Sequence, residues 1–130
     1  MYNTIMNNKT AILIPGTDGL YKGIKEIALT LKPKLVTDNY NRVADLLKND
    51  ILDYVVIIEG SSKSTAYGVY KYLKRINKRV KFVIVDGWDY KIRKKDKMIF
   101  LPGPSNKQIV DEIRKAINGQ AEEINDSRES

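Results

Sequence analysis

Two stretches of the chain, Tyr54–Ile58 and Lys81–Val85, are apolar almost without interruption. A strand with one face in water alternates apolar and polar residues, whereas a strand that is apolar throughout is buried on both faces. Central strands of a parallel sheet meet that condition, because helices cover both sides. The flanking sequence supplies such helices. Runs of strand length alternate with segments of three- and four-residue apolar spacing, with no internal repeat or linker. That alternation specifies βαβ units. The expected class is a three-layer, doubly wound α/β fold with a five-stranded, mainly parallel sheet.

The first strand is expected over Thr10–Ile14, stopped by Pro15-Gly16. A helix from about Gly19 sets Leu20, Ile24, Ile27, Ala28 and Leu31 on one stripe, and Pro33 ends it. Lys34–Thr37 reads as the second strand. Asp38 or Asn39 caps the next helix, whose inner side is Val43, Leu46 and Leu47. After the third strand, Ser61, Ser62 and Ser64 offer caps for a helix with Ala66, Val69, Tyr70, Leu73 and Ile76 inward. Met98–Leu101 is the fifth strand. Ser105 and Gln108 have capping-box spacing, and the last helix buries Ile109, Val110, Ile113, Ala116 and Ile117. Only Gly87–Lys97 joins strands four and five. A parallel crossover takes roughly 10–12 residues including its helix. The fourth helix is therefore short or missing, and a hairpin that makes strand five antiparallel stays open.

At 130 residues, 42% hydrophobic and 30% charged, the composition is that of a globular protein. One domain is expected over residues 10–119, with 1–9 an N-terminal extension and 120–130 a disordered acidic tail. No run approaches the roughly 20 apolar residues of a membrane span, and the start lacks the layout of a secretory signal. A cytoplasmic protein with no membrane contact is expected. Cysteine and histidine are both absent. That removes disulfides, thiol nucleophiles, imidazole bases and the usual zinc ligands. No cofactor is expected beyond a hard cation such as Mg²⁺.

The whole pattern resembles a response-regulator receiver domain, from about Thr10 to Asn118. Its most specific parts are Asp53-Tyr54-Val55-Val56-Ile57-Ile58-Glu59, similar to the strand that leads to the phosphoacceptor, and Phe100-Leu101-Pro102-Gly103-Pro104-Ser105, similar to the strand and loop before the last helix. The resemblance implies a flavodoxin-like architecture with strand order 2-1-3-4-5. The family's chemistry does not carry over. Pro15-Gly16 stands where receivers hold Mg²⁺ with an acidic pair, and Ile58 or Glu59 falls at the phosphoacceptor. Asp86 replaces the Ser or Thr, and Gly103 the Lys. Such a chain is a pseudo-receiver, a regulatory or interaction module without phosphotransfer. No catalytic residue is assigned.

Three candidate surfaces follow. In open parallel sheets ligands bind beyond the carboxyl ends of the strands, which gathers Thr17, Asp18, Glu59, Ser61, Ser62, Asp86 and Asp89 on one rim. Asp18, Glu59, Asp86 and Asp89 would suit Mg²⁺, and Glu59-Gly60 with the two later aspartates bears a faint likeness to the Toprim fold. The Ser61-Ser62-Lys63-Ser64-Thr65 turn is similar to that of sugar-isomerase (SIS) phosphosugar domains, where a helix N-terminus attracts phosphate. A second surface, Trp88, Tyr90, Lys91, Arg93, Lys94 and Lys95, lies near strands four and five. Receivers commonly use that face for protein partners and homodimers. The third is a cationic run, Lys71, Lys74, Arg75, Lys78 and Arg79, in a chain of net charge +7. Such a run could bind nucleic acid.

Overall fold

The computed structural model describes residues 9–15, 25, 26, 28–59, 66–86, 91–100, 108 and 111–117, the side chain at 100 excepted. Five strands form one sheet: β1 (Thr10–Leu13), β2 (Leu35–Thr37), β3 (Tyr54–Ile58), β4 (Lys81–Asp86) and β5 (Lys97–Phe100). Their order is β2-β1-β3-β4-β5 and every pairing is parallel. β5 runs alongside β4 from Val83↔Lys97 to Asp86↔Phe100, so the antiparallel hairpin is ruled out. The class and strand order are those expected, with boundaries displaced by a residue at most.

Helical residues flank the sheet on both faces. The first helix, α1, is described at residues 25, 26, 28 and 29; α2 spans Tyr40–Lys48, α3 spans Ala66–Ile76, and α4 is described over residues 111–117. The period-two alternation of each strand decides which side each residue serves. Ile12, Val56, Ile58, Val83 and Val85 face Ala28, Leu31, Ile113 and Ala116 of α1 and α4. Ala11, Leu13, Val55, Ile57, Phe82 and Ile84 face Val43, Ala44 and Leu47 of α2 and Ala66, Tyr70 and Leu73 of α3. The inward stripes expected for α2 and α3 are therefore the stripes found, with Leu46, Val69 and Ile76 only half-buried at their margins. Leu20, Ile24, Ile27, Ile109 and Val110 lie outside the described residues, as do 1–8 of the expected extension and all of the expected tail, 120–130.

Local signals set the ends of α2. The Asn39 side chain accepts from the Asn41 N–H at 2.9 Å, which makes Asn39 the cap. At the other end Ile51 N–H donates to Leu46 O and Asp50 N–H to Leu47 O. This pair of bonds is a Schellman ending with Asp50 at φ 56, a conformation that Asp tolerates better than most residues. α1 closes at Lys32, φ 55, directly before Pro33. Proline disfavours the right-handed helical region for the residue before it.

The connection from β4 to β5 carries no helix in its described part, residues 91–96. It runs on the α2/α3 side, where Ile92 and Met98 pack against the core beneath α3. Asp96 fixes it there. The Asp96 side chain is fully buried and takes donors from three places: Phe82 N–H at 2.8 Å and Lys74 Nζ at 3.1 Å on Oδ1, and the Tyr70 hydroxyl at 2.5 Å on Oδ2. Lys74 also donates to Val80 O at 2.8 Å, and the Tyr70 hydroxyl accepts Arg93 N–H at 3.0 Å. Phe82 lies one residue before the first β4–β5 register pair, so this carboxylate satisfies a strand-edge N–H that β5 begins too late to reach. Removing one partner of such a buried pair strands the other charge. Asp96→Ala is expected to cost roughly 3–5 kcal/mol in urea unfolding. Lys74→Met combined with Asp96→Leu is expected to recover only part of that loss: no charge then remains buried, but Phe82 N–H, Val80 O and the Tyr70 hydroxyl lose these partners.

Candidate functional site

Of the seven residues expected on the carboxyl rim, Glu59 and Asp86 belong to the described residues; Thr17, Asp18, Ser61, Ser62 and Asp89 do not. The sheet does bring Glu59 and Asp86 together. Each lies one step past the Ile58↔Val85 register pair, and Glu59 N–H donates to Val85 O at 2.9 Å. Asp86 is buried, at 2% exposure. Glu59 has a structural task. Its Oε2 accepts the Ala66 N–H, the first of α3, at 2.8 Å. A carboxylate there offsets the positive end of the helix. The serines expected to cap α3 lie outside the described residues, and Glu59, seven residues upstream with no capping-box spacing, gave no sequence signal for this role. Among the described residues no group of three acidic side chains is arranged to hold a metal ion.

The cationic run divides in three. Lys74, expected in a solvent-facing patch, is 6% exposed and committed to Asp96 and Val80, so it leaves the patch. Arg79 turns away as well: its Nη2 meets Asp50 Oδ2 at 2.7 Å in a cleft with Lys9, Asp53 and Lys81. The Asn77 amide and the Arg79 guanidinium hold the Asp50 carboxyl below its ordinary value. Lys71, Arg75 and Lys78 remain exposed.

These three line a groove of about 350 Å³ between α3 and the β4–β5 connection. Lys91 and Arg93, from the second expected surface, form part of the same lining, with Tyr67, Tyr70 and Ile92. Two cationic clusters that the sequence separates by more than a strand therefore become one site. The Lys71 ammonium stands 4.5 Å from the centre of the Tyr67 ring, close enough for cation–π attraction. Tyr67 in turn stacks on Tyr70, with centroids 6.5 Å apart. Asp96 is the one acid in the Lys91–Lys97 segment, and its burial against Lys74 removes that negative charge from the groove surface. Lys94 and Lys95 are exposed on the adjoining turn; Trp88 and Tyr90 lie outside the described residues.

Tyr70 is the most perturbed group of the site. Burial first, and then donation to Asp96, push its phenol from 10.0 to about 12. The folded protein therefore keeps this proton through an interval in which an unfolded tyrosine has released it. Stability that is complete below pH 10.0 falls as pH rises toward about 12. In Tyr70→Phe that part of the alkaline decline should vanish, as read by urea unfolding across the interval. Glu59→Ala is expected to lower stability by about 1–2 kcal/mol, through loss of the α3 cap.

No family model and no curated protein matches the chain. Its fold is similar to a crystal structure of a "putative lipoprotein" from Peptoclostridium difficile 630 (fragment), with a TM-score of 0.53 at 13% identity, over 86% of this chain and 97% of that one. At that identity the likeness shows the fold alone. No helix among the described residues is long and apolar enough to cross a membrane.

Proposed function

We propose that this protein is a non-catalytic, receiver-like binding module that works through the basic groove between α3 and the β4–β5 connection. The observation that carries this reading is the convergence of Lys71, Arg75, Lys78, Lys91 and Arg93 on one concave surface. Cations from two chain segments raise the local potential together, and a concave wall of low polarity focuses it. The partner is anionic. A second copy meeting the groove face to face would set five cations against five, so a homodimer through this surface is disfavoured. The rim supports the non-catalytic side of the proposal: the Glu59 carboxylate caps α3, and Asp86 is buried at the end of its strand. The absence of cysteine and histidine from the chain supports it too.

Heparin provides a general polyanion probe. An amide NMR titration with heparin should shift residues 71–78 and 91–93 and leave α2 unmoved. The double variant Lys71→Glu, Arg75→Glu should elute from immobilised heparin at clearly lower salt than the parent. Acetyl phosphate with Mg²⁺ should neither label the protein covalently nor shift Glu59 and Asp86. An unretained parent protein, or stoichiometric labelling of Glu59, would sink the proposal.

A further inference from the structure

Resting on the anion-binding reading of the groove, we infer that its ligand is a single-stranded nucleic acid, held chiefly by its phosphates and without sequence preference. Three features of the groove lead to this class. The first is charge without counter-charge. Lys71 and Arg75 stand one helical turn apart, about 6 Å along α3, with Lys78 just past its end. Lys91 and Arg93 contribute from the β4–β5 connection. Asp96, the acid that follows them in the chain, has its side chain fully buried against Lys74 and Tyr70. Among the described residues that line the groove, every charged one is a cation.

The second feature is the floor. Tyr67 and Ile92, both half-buried, give an aromatic and aliphatic surface between the cations, with buried Tyr70 beneath them. Phosphates reach Lys and Arg while a base lies on such a surface, the arrangement by which single strands are bound without reading their sequence. At about 350 Å³ the groove is at the low end of ligand-sized clefts, a size that suits a single nucleotide unit better than a whole duplex.

The third feature separates nucleic acid from an acidic peptide. A peptide in a groove brings an N–H and a C=O at nearly every residue, and each needs a partner once it leaves water. The polar groups beneath this groove are already engaged. The Tyr70 hydroxyl donates to Asp96 and accepts from Arg93 N–H, and the Lys74 ammonium is held by Val80 O and Asp96. The phosphates of a nucleic-acid strand are acceptors alone, which surrounding cations satisfy, while the polar edge of a base lying flat on the floor can stay in water.

The experiment is a fluorescence-anisotropy titration of the whole chain with labelled oligo-dT at several salt concentrations. Five phosphate contacts at about −0.7 each give a slope of log K on log salt of about −3.5, or roughly a hundredfold loss of affinity from 50 to 200 mM. Lys71→Ala and Arg75→Ala should each reduce the slope by about 0.7. Lys48→Ala, exposed at the end of α2 and away from the groove, should leave it unchanged. An abasic phosphodiester chain of equal length should bind about tenfold more weakly, for want of a base on the floor. Poly-L-glutamate that binds where oligo-dT does not would overturn the nucleic-acid assignment while leaving the anion-binding module intact. Equal binding of a duplex, or of the abasic chain, would overturn it as well. Failure of heparin and all of these ligands at low salt would instead remove the anion-binding reading beneath it.

Discussion

The Asp96 carboxylate joins three parts of the chain at one point: the edge of β4, the inner side of α3 and the connection into β5. Helices usually do this work in doubly wound sheets, by laying an apolar stripe on the strands. Here the connection has ten residues, 87–96, and Ile92 is its apolar contact with the core among those described. Hydrophobic burial from one side chain contributes roughly 1.5–3 kcal/mol, little against the entropy of fixing such a segment. A buried ion pair whose two side chains each have further hydrogen-bond partners adds direction. Its donors sit at fixed points of α3 and β4, so the carboxylate is met in one position of the chain.

The same cluster shapes the groove above it. With Asp96 turned inward, the Arg93 N–H is drawn to the Tyr70 hydroxyl, and Lys91 and Arg93 line the groove opposite Lys71 and Arg75. Had Asp96 faced solvent, it would have neutralised part of the surface it now leaves positive. One buried acid thus serves both packing and surface charge.

Much of this fold was legible because parallel sheets write themselves plainly. Val55–Ile58 and Phe82–Val85 are apolar on both faces, as the central strands of a helix-covered parallel sheet require. The Asn39 cap and the inward residues of α3 follow from local rules in the same way. The groove was legible only in pieces. Charge counting found Lys71–Arg79 and Lys91–Lys95, but their union depends on where the chain returns after β4, which is a tertiary fact. Lys74 was misassigned because a lysine on a charged helix reads as solvated, and its spacing of four from Tyr70 was the available hint that it shares the buried side. Asp96 stood out as a lone acid among cations, a signal that becomes meaningful once a buried ammonium is known to need it. Glu59 offered no comparable clue, since its contact with Ala66 spans a turn of the chain that no local pattern encodes.

The absence of a helix from residues 91–96 has a further implication for how such domains diversify. A full helical connection after β4 would roof the surface of α3 and fill the groove with its own side chains. Trimming that roof to a short strap, and pinning the strap with one carboxylate, converts an interior wall of the architecture into an outward-facing one. Open concave surfaces of this kind can therefore arise by deletion, without a single new strand or helix, wherever the shortened segment brings its own anchor.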